Sequence, residues 1–239
     1  MASTPPLKIK LFADSAEATA MVKRYREGFV RGFTTNPTLM NKAGIRDYQA
    51  FAKEVLAVIV DLPISFEVFA DDFAEMERQA LLIRGWGPNV NVKIPITNTR
   101  AESAFPVIRS LLARKVKLNI TAILASEQWL GLRDCLSPDS EVIVSIFAGR
   151  IADTGRDPIP IMTQAVRDFR AFPKVQVLWA SPREVLNIYQ AEDCGCHIIT
   201  ATDDLIAKVQ TLRGKSLIDF SLDTVRMFHR DASKAGFEL

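Results

Sequence analysis

The sequence predicts a single α/β domain folded as a closed (β/α)8 TIM barrel, with an extra helix after the eighth unit. Three observations carry this. Short apolar runs alternate with longer amphipathic runs from one end of the chain to the other. Eight such pairs follow in order, and a strand–helix–strand crossover is right-handed and keeps its strands parallel. No glycine-rich phosphate loop follows the first run, which disfavours an open dinucleotide-binding sheet. At 239 residues, 48% of them hydrophobic, the chain can build one barrel core, so 1–239 is read as one domain.

Strands are expected at 8–14, 32–35, 64–69, 90–96, 117–121, 142–147, 175–180 and 197–200. Amphipathic helices are expected between and after them at 16–27, 47–60, 72–83, 100–113, 126–135, 158–171, 182–191 and 203–211. Side chains alternate across a strand, so parity sorts each strand into an inner and an outer set. Ile9, Leu11 and Ala13 face out and leave Asp14 inward at the end of the first strand. Phe66 and Val68 turn Glu67 inward. Val90, Val92, Ile94 and Ile96 pack under helices, which sends Asn91 and Lys93 in. Leu118 and Ile120 do the same for Asn119 and Thr121, and Val142, Val144 and Ile146 for Ser145 and Phe147. Lys8, Lys10 and Lys117 lie near strand starts and are expected at the opposite mouth. The stretch 221–234 reads as the extra helix, either a lid on its own barrel or a contact with another subunit.

Thirty basic and 28 acidic residues leave a net charge of +2, with the charges dispersed. That balance argues against a nucleic-acid partner. No apolar stretch reaches the roughly 18 residues of a membrane span. The lead from Met1 to Pro6 is polar and has no signal-like apolar core. Cys135, Cys194 and Cys196 are an odd set, read as reduced structural thiols of a cytoplasmic protein. Cys194-Gly195-Cys196 is half a metal clip with no second half. The two histidines, His197 and His229, are far apart in sequence, so neither a metal site nor a cofactor is expected.

Asp14, Glu67, Lys93, Asn119, Thr121 and Ser145 therefore converge at the carboxyl ends of the strands, where barrel enzymes carry their sites. Buried polar groups are costly unless they serve one another or a ligand. A merely structural ionic network is the rival reading, but buried ion pairs stabilise less than apolar packing. A lysine in a partly dry interior gives up some of its preference for the charged form. The neutral amine can attack a ketone and form a Schiff base. Asp14 and Glu67 are placed to move protons, while Asn119, Thr121 and Ser145 can orient a polyol.

The motifs resemble those of the transaldolase family over nearly the whole chain. They are Leu11-Phe12-Ala13-Asp14-Ser15-Ala16, Gly32-Phe33-Thr34-Thr35-Asn36-Pro37 and Asn91-Val92-Lys93-Ile94-Pro95, then Asn119-Ile120-Thr121. Ser145-Ile146-Phe147-Ala148-Gly149-Arg150 with Asp153, and Ala180-Ser181-Pro182-Arg183, complete the set. Thr34-Thr35-Asn36-Pro37 is the most specific of them. The resemblance implies that Lys93 forms the imine and Asp14 acts on the C4 hydroxyl. It implies that Glu67 works through a water held with Thr121. Thr34, Asn36, Asn119, Ser145 and Phe147 would line the donor site, and Arg150, Ser181 and Arg183 would grip a phosphate. Sugar phosphates, a homo-oligomer and a place in the pentose phosphate pathway belong to the same implication.

Short family members that release free dihydroxyacetone resemble a pattern with glutamine at position 67 and tyrosine at position 147. This chain has Glu67 and Phe147, the choice of enzymes that transfer to an aldose, although it lacks the insertions of longer transaldolases. Pro182 stands where the family commonly has an aromatic residue. The readings are thus a transaldolase, a fructose-6-phosphate aldolase, a sulfosugar transaldolase and a non-catalytic barrel.

Overall fold

A computed structural model of the chain describes residues 6–237, so nearly all of the polar lead at 1–6 lies outside the described residues. Eight parallel strands close on one another in chain order. They are β1 (Lys10–Asp14), β2 (Phe33–Thr34), β3 (Ile64–Glu67), β4 (Val90–Pro95), β5 (Leu118–Ile123), β6 (Val142–Ile146), β7 (Val175–Trp179) and β8 (Ile198–Ala201). The helices are α1 (Ala18–Glu27), α2 (Pro37–Lys42), α3 (Tyr48–Leu56), α4 (Phe73–Arg84), α5 (Phe105–Ala113) and α6 (Ser126–Arg133). After them come α7 (Ala148–Asp153), α8 (Pro158–Asp168), α9 (Leu186–Asp193), α10 (Asp203–Leu212) and α11 (Leu217–Ala235).

The fold class is that of the sequence, and the differences in bounds have local causes. β2 is short because Pro37 has no N–H to carry its ladder further, and Asn36 instead caps α2 by accepting from the Leu39 N–H at 2.9 Å. The helix expected at 100–113 begins only at Phe105. Before it, the Asn98 Oδ1 accepts from the amides of Arg100 (3.0 Å) and Glu102 (2.9 Å) and holds a turn. Asn187 delays α9 in the same way, its Oδ1 accepting from the Arg183 N–H at 2.7 Å. α2 and α7 were not anticipated; each has six residues, too few for a visible helical period.

Two apolar cores follow from parity. The larger lies between sheet and helices and contains Val90, Val92, Ile94, Leu118, Ile120, Val142 and Val144. A fully buried side chain of this size contributes about 1.5–3 kcal/mol. The smaller fills the barrel itself with Phe12, Ile143, Leu178, Ala180 and Ile198, and Phe147 packs against it. Gly32 has a packing reason, since a Cβ there would lie 2.5 Å from the Phe12 ring. The two cores leave a polar upper layer, set by the register Glu67 beside Lys93 and Lys93 beside Asn119. At the other mouth, Lys10 and Lys117 line an opening with Arg31 and Lys174.

Arg24 ties the first helix to the last barrel helix. Its Nε lies 2.5 Å from Asp203 on α10, and its Nη1 is 2.8 Å from Glu27 and 2.7 Å from Gln210. The extra helix starts earlier than expected, at a Ser216 cap whose Oγ accepts from the Asp219 N–H at 3.0 Å. None of its residues is buried, and Leu217 is 85% and Phe228 63% exposed. α11 is therefore no lid on its own barrel.

Candidate active site

Lys93 sits near the end of β4 with its ammonium buried against two oxygens. Its Nζ is 2.9 Å from the Glu67 Oε2 and donates to the Thr35 carbonyl at 3.1 Å. Both neighbours are on the strand side that leads to β1, because Glu67 shares the Lys93 rung and Thr35 follows β2. A carboxylate at this distance can accept a proton from the amine and return it.

Asp14, at the end of β1, is held from two sides. Thr34 donates to its Oδ1 at 2.8 Å, and the Asn36 amide approaches its two oxygens at 3.4 and 3.2 Å. Burial raises the Asp14 carboxyl above its ordinary range, against the opposing pull of Lys93 and of the two donors. The Thr34 hydroxyl also meets that of Thr200 on β8 at 2.5 Å, so three strands share one polar chain.

Across the barrel, Ser145 donates to the Asn119 Oδ1 at 2.7 Å, and the Asn119 amide donates to the Ser65 hydroxyl at 3.0 Å. The Asn119 orientation is thereby fixed. The Thr121 hydroxyl is buried and lacks a hydrogen-bond partner among the described residues, an unusual state for a buried polar atom, and it lines the same cavity as Lys93.

The outer wall is cationic. Arg183 pairs in a fork with Asp153, its Nε 2.9 Å from Oδ1, and its Nη1 donates to the Ser181 hydroxyl at 3.1 Å. That pairing holds the Asp153 carboxyl below its usual range. The Arg150 guanidinium lies 5.5 Å from the centre of the Phe147 ring. Ser181 has φ +63°, a backbone position that side chains rarely take.

These groups enclose a cavity of about 480 Å³ lined by Asp14, Thr34, Asn36, Glu67, Lys93, Thr121, Ser145, Phe147, Arg150, Ser181 and Arg183. Every candidate from the sequence lines it except Asn119, which supports Ser145 from below. Thr200 and Lys42 line it too and were missed, as were the supporting groups Ser65 and Tyr48. The opposite mouth holds a larger opening of about 730 Å³, but its lining lysines are exposed and none is paired inward as Lys93 is. His197 accepts at Nδ1 from the Val177 N–H at 3.1 Å. Among the described residues, no group of three or more His, Cys, Asp or Glu side chains is arranged to hold a metal ion. The three cysteines are free thiols, and burial pushes that of Cys196 up. No described helix is long and apolar enough to cross a membrane.

Residues 11–239 match the family described as transaldolase/fructose-6-phosphate aldolase. A probable transaldolase of Dehalococcoides mccartyi is 35% identical over 193 residues, covering 80% of this chain and 86% of its own. One from Streptococcus agalactiae is 32% identical over 85% of this chain and 90% of its own. Probable transaldolase 2 of Listeria monocytogenes is 31% identical over 84% and 88%. Among solved structures, 3-hexulose-6-phosphate synthase superposes with a TM-score of 0.57 at 13% identity, over 81% of this chain and 90% of that one. Dihydrodipicolinate synthase from Rhodopseudomonas palustris gives 0.55 at 14%, over 82% and 70%. At such identities the structural likeness speaks for the barrel alone.

Proposed function

Within the transaldolase/fructose-6-phosphate aldolase family, to which this chain belongs, we propose that it transfers a dihydroxyacetone unit through a Schiff base on Lys93. The donor is a ketose phosphate of the fructose 6-phosphate kind and the acceptor an aldose. The observation that carries the reading is the buried Lys93 amine, 2.9 Å from Glu67 in a cavity that also holds Asp14.

Glu67 takes the ammonium proton, and Nζ attacks the C2 carbonyl of the donor to give a carbinolamine. Loss of its hydroxyl as water, protonated by way of Glu67 and Thr121, leaves the iminium. Asp14 then removes the C4 hydroxyl proton, the C3–C4 bond breaks, and its electron pair passes into the iminium as an enamine. The aldehyde leaves. The acceptor aldehyde is attacked by the enamine carbon, Asp14 returns the proton to the new alkoxide, and water hydrolyses the imine. Asn36 and Ser145 hold the three-carbon unit, Asn119 orients the Ser145 hydroxyl from below, and Arg150, Ser181 and Arg183 face a terminal phosphate.

Transfer is favoured over cleavage by Glu67 and Phe147. The carboxylate can pass protons through water, and phenylalanine offers no phenol to protonate the enamine. The same reading makes the protein a metal-independent cytoplasmic enzyme of the pentose phosphate pathway. Its homo-oligomeric state is supported by the bare apolar side chains of α11.

The experiment is borohydride reduction in the presence of fructose 6-phosphate, followed by peptide mass mapping. An adduct on Lys93, absent from Lys93→Met, is expected. An adduct elsewhere, or none, overturns the mechanism. Product formation only when erythrose 4-phosphate is added separates transfer from aldol cleavage, and a sulfonated donor tests the terminal group.

A further inference from the structure

The β2–β3 ladder is interrupted directly beside Lys93. The Phe33 N–H donates to the Pro63 carbonyl at 2.8 Å, and the Thr35 N–H to the Ser65 carbonyl at 3.1 Å. In a parallel ladder the next rung is the Glu67 N–H onto the Thr35 carbonyl, and the one after it is residue 37 donating to the Glu67 carbonyl. Neither forms. Residue 37 is a proline and has no N–H to give. The Glu67 N–H turns instead to the Tyr48 hydroxyl, at 2.8 Å, and the same hydroxyl donates to the Glu67 carbonyl at 3.2 Å. The Thr35 carbonyl, relieved of its ladder partner, accepts from the Lys93 Nζ at 3.1 Å.

We propose that Tyr48 is a positioning residue that splits this ladder and so keeps the Thr35 carbonyl free for the Lys93 amine. It touches no reacting atom. Its hydroxyl can replace both lost rungs because a neutral phenol donates and accepts at once. Burial holds it in that form, raising its proton affinity well beyond the ordinary tyrosine value. The ring cannot drift, since it sits edge-on to Trp86 at 5.1 Å and to Phe66 at 5.9 Å. Glu67 and Thr35 thus hold Lys93 from two sides, and Tyr48 anchors the backbone of one while releasing the carbonyl of the other. The inference rests on the Schiff-base reading of Lys93 for its effect on rate, but not for its effect on structure.

Two measurements on Tyr48→Phe test it, beside Trp86→Phe as a variant that disturbs the same aromatic cluster without removing the hydroxyl. In a crystal structure of Tyr48→Phe, the Glu67 N–H is expected on the Thr35 carbonyl, with Lys93 detached from it. In solution, the rate of borohydride trapping and kcat should fall roughly tenfold or more, with KM changed less than about twofold. Trp86→Phe should lower the melting temperature yet leave the trapping rate near that of the parent. If Tyr48→Phe fails to fold, 3,5-difluorotyrosine at position 48, which keeps the ring and weakens its hydroxyl as an acceptor for the Glu67 N–H, should slow trapping at least about threefold. A ladder that stays open in Tyr48→Phe, equal slowing by Trp86→Phe, or unslowed trapping with the fluorinated side chain would each overturn the proposal. Absence of any adduct in the parent enzyme would instead defeat the Schiff-base reading, and the crystal structure would still decide whether Tyr48 holds the ladder open.

Discussion

The backbone of Gly149 lies directly against the carbonyl of Ser181: a Cβ added at residue 149 would fall 1.6 Å from that oxygen. Gly149 is the second residue of α7, just before Arg150, and Ser181 sits in the loop that carries Arg183. The contact therefore sets the distance between two arginines assigned to a phosphate. Gly149→Ala must push the two backbones apart, since the clashing atom is main chain and cannot rotate away. The expected cost is about 1–3 kcal/mol in urea unfolding, as for other overpacked sites. KM for fructose 6-phosphate should rise at least about tenfold, while imine formation with unphosphorylated dihydroxyacetone stays near the parent rate. An unchanged KM would show that the two arginines do not act as one phosphate grip.

Asp14 should lower the stability of the folded protein at neutral pH. Burial raises its carboxyl above 3.8, so the folded chain binds this proton more tightly than the unfolded chain does. Stability from this group is greatest below the unfolded value, falls as pH rises through the raised one, and stays low above it. Asp14→Asn carries no charge to desolvate and keeps an acceptor for Thr34. It should melt roughly 2–4 °C higher at pH 7, an advantage that fades as pH approaches 3, while turnover is lost. A variant that melts lower at pH 7 would mean that the charged form is well compensated by Thr34 and Asn36.

Parity alone placed Asp14, Glu67, Lys93, Thr121 and Ser145 in one cavity, because apolar neighbours on their strands mark the outer face clearly. The same contrast fails in β8. There Ile198 points in and Ile199 points out, so alternation says nothing about Thr200, and only the Phe12–Thr200 register brings it to Thr34. Tyr48 was illegible for another reason. It begins a helix on the outside of the barrel, and its role comes from a ladder that stops at Pro37. Arg150 and Arg183 were placed by motif alone, and the Asp153 fork that orients Arg183 spans two segments thirty positions apart in the chain.

Arg24 offers a test of how a buried charge is held. Its side chain is 6% exposed, whereas Glu27 and Asp203 are 31% and 57% exposed. Removing the arginine leaves two carboxylates that water can reach, so Arg24→Met should cost less than about 2 kcal/mol. Neutralising both acids, in Glu27→Gln with Asp203→Asn, leaves a buried guanidinium without a countercharge. That double variant should cost about 3–5 kcal/mol. Urea unfolding of the two proteins measures the difference. The reverse order would show that α1 and α10 are joined by apolar packing and that the ion pairs are incidental.

Glu67→Gln separates proton transfer from positioning at the Lys93 amine. The amide is nearly the same size and can accept a hydrogen bond from Nζ through its oxygen, so the 2.9 Å contact survives in kind. The Tyr48 anchor also survives, because it grips the main chain of residue 67 and not its side chain. What is lost is a group that can take the ammonium proton and give one back during loss of water. Imine formation and imine hydrolysis should therefore both slow, by roughly 10²–10⁴-fold, the usual range for a missing acid–base group. KM for the donor should move less than about threefold, because the carboxylate is assigned no contact with the sugar chain that an amide cannot imitate. The rate of borohydride-trapped adduct formation and the burst of released aldehyde would be followed in the same samples. Should KM alone change while trapping keeps its rate, Glu67 is a substrate-holding group and the proton must be taken by Asp14.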